Sequence, residues 1–289
     1  MLPVSIHIIV RKLLKMKIKY LGTSASEGWP ALFCECEACR YARMYKGHDL
    51  RTRNQALIDD TLLLDFPPDT NYHALDYGLK LSRIRSILIT HSHHDHFFPA
   101  DIYMRLPGYQ TQDIPESLMI YGNAEVERKF REIGQEFPDV DGQMVFRTIH
   151  AFESFDTPDG YHVEPIRADH KPSEEALNFI ISKEGKSLLY AHDTGIYPEE
   201  TFRYLKGHYF AIVSMDCTAL DRNWKIGHLG FEGVLEVKER LLKMKCIDAK
   251  TLFIISHFAH RDGYTAKRIE VWAKDHKMVA AYDGFCGEA

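Results

Sequence analysis

Four of the sixteen histidines in this 289-residue chain fall in one six-residue block, His91-Ser92-His93-His94-Asp95-His96. The block follows Ile87, Leu88 and Ile89, a continuous apolar run of the kind that forms a strand buried on both faces. It therefore sits where a buried strand ends and a loop begins. Alternate residues of an extended chain point the same way, which puts His91 and His93 on one side. A bend after them turns Asp95 and His96 toward a neighbouring point. One short loop can then supply ligands to two metals, and imidazoles mixed with a carboxylate suit zinc, manganese or iron.

Two metals need further ligands, and three segments offer them, each directly after an apolar strand candidate: Asp169-His170, His192-Asp193-Thr194 and Ser256-His257. Asp193 follows Leu188, Leu189, Tyr190 and Ala191. An acidic residue at the end of a buried strand is costly unless it is paired or bound to a cation. His257 follows Phe253, Ile254 and Ile255 in the same way.

Apolar runs place strands at 18–21, 62–66, 87–90, 118–121, 144–149, 179–182, 187–191, 210–215 and 252–256. A 3.6-residue spacing places helices at 124–133, 199–206, 231–243 and 266–274. Turn pairs separate these elements without a Gly/Ser/Pro-rich linker, an internal repeat or a low-complexity tract. The order predicts an α/β fold, a sandwich of two mixed β-sheets flanked by helices, in one domain over residues 16–289. Met16 opens a natural first strand, so residues 1–15 are expected to be an extension, to which no function is assigned.

Hydrophobic residues at 45% and charged residues at 27% exclude a disordered or fibrous chain. A net charge of -5 gives no bulk attraction to polyanions, so a nucleic-acid partner is not expected. No run reaches the roughly 18 apolar residues needed to span a bilayer, and no membrane partner is expected. The apolar run at 5–10 precedes Arg11, Lys12 and Lys15 and has no cleavage site after it, which argues against a secretory signal and for the cytoplasm. A homodimer is the default expectation for oligomeric state.

Of six cysteines, Cys34, Cys36 and Cys39 are clustered, offering three thiolates to one tetrahedral zinc whose fourth ligand comes from a distance. The alternative is a reactive redox thiol cluster. Cys217, Cys246 and Cys286 are scattered and read as ordinary thiols.

The pattern His91-x-His93-x-Asp95-His96, followed by His170, Asp193 and His257, resembles the metallo-β-lactamase superfamily of binuclear metallohydrolases. That resemblance implies the αββα sandwich, with His91, His93 and His170 on one metal, Asp95, His96 and His257 on the other, and Asp193 bridging. His170 is preferred to His150 and His162 for its Ala168-Asp169-His170 setting before Asp193. Asp65 matches the early buried Asp that braces the histidine loop. His94 and His192 have no ligand part in the pattern. Diiron oxidoreductases of this fold generally carry Glu where this chain has His93, which argues against that chemistry.

The segment Leu21-Gly22-Thr23-Ser24-Ala25-Ser26-Glu27-Gly28-Trp29-Pro30, the cysteines and Arg40 resemble the phosphoribosyl cyclic phosphate phosphodiesterase group, which is similar to phosphonate-degradation enzymes. In that group the fourth ligand of a structural zinc is a His three positions after the last catalytic His, here His260 after His257.

Two divalent ions about 3.5–4 Å apart can share and acidify a water and polarise the attacked group, so hydrolysis by a bridging hydroxide follows. Asp95 is expected to serve that chemistry as well as to bind metal. His228, in Ile226-Gly227-His228-Leu229-Gly230 before a helix, is the candidate general acid. The expected substrate is a small cyclic phosphodiester such as a ribose cyclic phosphate, and the expected cofactors are two divalent ions, zinc or manganese, plus one structural zinc. A tRNA 3′-end endonuclease, a lactone or thioester hydrolase, and a metal-binding accessory protein are the alternatives. Tyr103, Arg105, Tyr109, Trp224 and Lys225 are candidates to contact a phosphate or sugar, or to pack the rim.

Overall fold

The computed structural model describes residues 15–111, 114–137, 142–261 and 263–289. The expected N-terminal extension lies outside the described residues apart from Lys15. In chain order the first half runs β1 (Lys17–Gly22), α1 (Glu37–Tyr45), β2 (Gln55–Ile58), β3 (Leu62–Leu64), α2 (Thr70–Asp76), β4 (Ser86–Leu88), β5 (Leu118–Gly122), α3 (Ala124–Gly134) and β6 (Met144–Thr148). The second half runs β7 (Phe155–Asp156), β8 (His162–Arg167), β9 (Leu177–Lys183), β10 (Lys186–Ala191), α4 (Glu199–Leu205), β11 (Ile212–Asp216) and α5 (Phe231–Lys243). It closes with β12 (Leu252–Ser256), α6 (Ala266–Asp275), β13 (Val279–Ala280) and β14 (Cys286–Glu288).

The strands form two seven-stranded sheets, ordered β14-β1-β2-β3-β4-β5-β6 and β13-β12-β11-β10-β9-β8-β7. Both are mixed: β3 to β6 pair in parallel in one, β10 to β13 in the other. Ile18, Leu64 and Leu88 of the first sheet meet Phe179, Leu188 and Tyr190 of the second in an inner core. Leu189, Val213 and Phe253 turn the other way, onto Phe202 of α4 and Val234 and Val237 of α5. Ile87 and Ile120 turn onto Val126 and Phe130 of α3. Burial on both faces explains why these strands read as continuous apolar runs. The expected αββα sandwich is the observed fold.

Among the described residues, five strands and two helices escaped the sequence reading. β8 carries Pro165, which interrupts the apolar pattern, yet Pro165 keeps its carbonyl in use, accepting from Phe152 N at 2.7 Å. β2, β7, β13 and β14 are too short to show a period. α1 begins among the clustered cysteines and α2 among polar residues. The strand expected over 62–66 stops at Leu64 because Asp65 turns into the left-handed region, φ 62°. No helix among the described residues is long and apolar enough to cross a membrane.

A buried polar chain ties the sheets together beneath the strand ends. Tyr20 OH and Ser214 Oγ are 2.5 Å apart, and Ser214 Oγ lies 2.7 Å from His192 Nε2. His192 Nδ1 donates to Asn54 Oδ1 at 2.8 Å, and Asn54 Nδ2 donates to Tyr190 OH at 2.8 Å. Every partner is satisfied with His192 neutral, and burial holds its ring well below the ordinary histidine range. The unfolded chain takes up a proton on this ring below pH about 6.5, while the folded one does not. Its contribution to stability is thus complete above that pH and declines as the pH falls, by about 1.4 kcal/mol per pH unit. Urea unfolding of metal-free protein from pH about 7.5 to about 5 tests this: His192→Gln should flatten the acid-side decline by about that slope. Equal slopes would mean that the folded protein protonates His192.

Candidate metal centre

The carboxyl ends of β3, β4, β10, β11 and β12 meet at one edge of the sandwich, where the polar residues that end each strand converge. Crevices at the carboxyl ends of parallel strands are the usual place for a site in open α/β sheets. Asp65 follows β3 and is fully buried. Its Oδ1 accepts from Thr90 N at 2.9 Å and Thr90 Oγ1 at 2.8 Å, and its Oδ2 accepts from His96 Nδ1 at 2.8 Å. These bonds stitch the end of β3 to the turn after β4. They also aim His96 Nε2 away from Asp65, as carboxylate partners of metal-binding imidazoles do.

His91, His93, His170 and Asp193 bring one ligand atom each within 4.8 Å of one another, and so do Asp95, His96, Asp193 and His257. In the first group His91 Nε2 lies 2.8 Å from His93 Nδ1, and His170 Nε2 lies 3.1 Å from His93 Nδ1. In the second, His96 Nε2 and His257 Nε2 are 3.1 Å apart. Asp193 joins them: its Oδ2 is 3.2 Å from His91 Nε2 and 3.0 Å from His96 Nε2. Its Oδ1 is buried without a hydrogen-bond partner.

The far ring nitrogens are fixed from outside. His170 Nδ1 donates to Gly227 O at 2.9 Å, and His257 Nδ1 lies 2.7 Å from Thr218 Oγ1, which itself donates to Asp216 Oδ2 at 2.7 Å. Burial alone would lower the His96 pKa, but Asp65, Asp193 and Asp95 outweigh it and hold the ring well above its ordinary range. Burial would raise Asp193, and the rings of His257, His96 and His170 instead hold it well below the carboxylate range. Converging ring nitrogens, a central carboxylate and an orphaned buried oxygen fit divalent cations. Each group offers enough donors for one.

The structure brings together His91, His93, His170 and Asp193, and Asp95, His96, Asp193 and His257. His170 joins the cluster, whereas His150 pairs with Glu175 and His162 with Asp156 at the surface. The His94 side chain is 69% exposed and stands outside both groups. Tyr103 belongs to the outer layer, its OH on Phe130 O, and the Arg105 guanidinium is turned to the Glu116 carbonyl, so neither borders the site. Lys225 pairs with Glu236 at 2.6 Å.

Asp216 went unnoticed. It ends β11, is fully buried, and accepts from Leu229 N at 2.8 Å and Asp193 N at 3.2 Å. The signal was available: it closes a buried apolar strand just as Asp193 follows one. His228 stands over it, its Nδ1 3.5 Å from Asp216 Oδ2 and 3.2 Å from Asp193 Oδ1. Burial pulls the His228 pKa down, but the two carboxylates raise it to about 11. The loop that carries it is tightly pinned. Gly230 N donates to Trp224 O at 3.1 Å, and a Cβ on Gly230 would lie 1.8 Å from the Arg222 carbonyl oxygen. His228, Trp224 and Arg222 line the same cavity of about 820 Å³ as His93, Asp193 and His257.

A second cluster adjoins this cavity. Cys34, Cys36, Cys39 and His260 bring their ligand atoms within 4.8 Å of one another. Cys36 caps α1, its sulfur accepting from Cys39 N at 3.5 Å. The Cys36 N–H draws the Cys34 thiol down to about 7, while burial pushes Cys39 up to about 12. Glu27, whose contact with His260 the sequence does not reveal, accepts from His260 N and faces His260 Nδ1, both at 3.1 Å, which leaves Nε2 for the thiols. Four such donors fit a closed tetrahedral zinc site.

The profile described as beta-lactamase superfamily domain matches residues 63–252. Among solved structures, a diphosphatase from the PhnP family superposes with a TM-score of 0.74 at 20% identity, covering 96% of this chain and 98% of that one. Zn(2+)-bound PqqB from Methylobacterium extorquens gives 0.70 at 17% identity, covering 94% and 99%. The short form of human tRNase Z gives 0.65 at 16%, covering 94% and 98%. These similarities show a shared fold. Among curated proteins, an octanoyltransferase of Porphyromonas gingivalis (strain ATCC BAA-308 / W83) is 35% identical over 85 residues, 28% of this chain and 16% of that protein's length. The profile match runs from β3 to the start of β12 and so takes in the histidine block, His170 and Asp193, and on it the chain belongs to the metallo-β-lactamase superfamily, as a metal-dependent hydrolase resembling the PhnP group.

Proposed function

We propose that the chain is a phosphodiesterase for a small cyclic phosphodiester such as a ribose cyclic phosphate. The observation that carries this reading is His228, backed by Asp216 and Asp193 at the edge of the cavity. Cleaving an alkyl phosphodiester expels a poor leaving group that needs a proton, and in this reading the histidine beside two carboxylates at the cavity edge gives one. In this reading His91, His93 and His170 hold one zinc or manganese ion, Asp95, His96 and His257 the other, and Asp193 both. When bound, the ions acidify a water and draw charge from the attacked group. Asp216 holds His228 toward the cavity, and its carboxylate balances the imidazolium. The cavity suits a small molecule, and the overall charge of -5 disfavours an RNA partner. Cys34, Cys36, Cys39 and His260 hold a structural zinc. All six cysteines are free thiols, which suits a reducing cytoplasm.

A second reading, hydrolysis of an acyl ester or thioester on the same centre, is favoured by one observation, the stretch shared with a protein named for octanoyl transfer. A panel assayed with manganese- or zinc-loaded protein separates the two: a 2′,3′-cyclic nucleotide, a ribose 1,2-cyclic phosphate, bis-p-nitrophenyl phosphate, a lactone, an octanoyl thioester and a precursor tRNA. Preference for the cyclic diesters is expected, and turnover of the acyl substrates alone would replace the first reading with the second.

His228→Ala should keep the metal content and lose about 10²–10⁴-fold in kcat on alkyl leaving groups, with much less loss on p-nitrophenolate. A uniform loss across leaving groups would remove His228 as the acid. Cys36→Ser should release about one zinc per chain and lower the melting temperature. Unchanged zinc content would sink the structural site.

A further inference from the structure

We infer that Glu174 is a positioning residue for the outer metal niche alone, so that the two niches are braced separately and differ in affinity. This rests on the two-ion reading above. Glu174 lies between β8 and β9, belongs to neither ligand group, and its side chain is only 2% exposed. A buried carboxylate without partners is costly, and this one is fully engaged. Ser92, between His91 and His93, donates to it from its N–H at 3.2 Å and from Oγ at 2.8 Å. Lys171, next to His170, forms an ion pair with it at 2.7 Å and donates to Ser92 Oγ at 2.9 Å. Asn123, the residue that caps α3, donates to it at 2.9 Å.

Glu174 thus ties together the two segments that carry His91, His93 and His170, and moors both to a helix end. The inner set has different braces: Asp65 holds His96, and Thr218 with Asp216 holds His257. Among the described residues, no hydrogen bond joins Glu174 to that set. The niches also differ in depth. His93 and His170 are partly exposed, whereas Asp95, His96 and His257 are buried. Outer-shell partners of metal ligands typically govern 10–100-fold of affinity, so each brace should govern its own ion.

Manganese, which has little affinity for thiolates, serves as the probe. It is titrated into chelator-treated full-length protein that retains its cysteine-bound zinc, and free ion is followed by electron paramagnetic resonance. The unaltered chain should show two binding events. Glu174→Gln should weaken one of them by about 10–100-fold and leave the other in place. Asp65→Asn should weaken the opposite event. Ser92→Ala, which removes one link and spares the carboxylate, should repeat the Glu174 effect in weaker form and serves where Glu174→Gln fails to fold. Equal weakening of both events, or none, would overturn the separate bracing. Absence of any manganese event in the unaltered chain would overturn the two-ion reading itself.

Discussion

The carboxylate of Asp193 sets the terms for everything around it. It is buried where the ends of β10, β11 and β12 face the histidine loop, and one of its oxygens has no hydrogen-bond donor. Burying a charge this way is unfavourable unless positive charge is supplied close by. The surrounding imidazoles supply it in part: His96, facing Asp65, Asp193 and Asp95, and His228, facing Asp193 and Asp216, are pushed upward, while burial and the neighbouring imidazoles hold His91 and His257 down. Divalent cations would add to that charge and free the His96 nitrogen to act as a ligand. The same electrostatic demand therefore explains the metal niches and the charged histidine at the cavity edge.

Meeting that demand requires side chains to turn sharply at strand ends. Asp65, Asp193 and His257 all adopt positive φ, at 62°, 52° and 63°. None is glycine, and each left-handed residue costs about 1 kcal/mol or more. The hydrogen bonds of Thr90 to Asp65 and of Asp216 to the Asp193 N–H hold two of these turns in place. Because the strands beneath are packed on both faces, the turned residues sit on rigid supports, which favours accurate placement of ligands.

This geometry also explains what was legible in the chain. Strands buried on both faces show as apolar runs, and a histidine or aspartate just beyond such a run is an anomaly that single-residue chemistry can flag. His91, Asp193 and His257 were visible for that reason, and Asp65 through the family resemblance. Asp216 carries the same signal, directly after the apolar run Ile212, Val213, Ser214 and Met215, but it stands outside the family's ligand pattern. Glu174 carried no signal. It sits in a polar loop, and its importance arises from contacts with Ser92 and Asn123, 82 and 51 residues away. Short edge strands such as β13 and β14 escaped for a related reason, since two or three residues cannot display a period.

The ligands and the cavity wall come from different parts of the fold, and that separation bears on specificity. The clustered donors stand at the ends of core strands, where a change of one residue disturbs both packing and charge. Trp224, Arg222 and His228 come instead from the loop ahead of α5, and Ser26 and Glu27 from the segment after β1. Those loops lie on the surface, and apart from the anchor points at Gly227 and Glu27 their composition can vary more freely than that of the strand-end ligands. Substrate choice can therefore diverge while the sandwich and its strand-end cluster persist. That accounts for structures named as a diphosphatase and a tRNase Z superposing on this chain over more than nine-tenths of its length at only 20% and 16% identity.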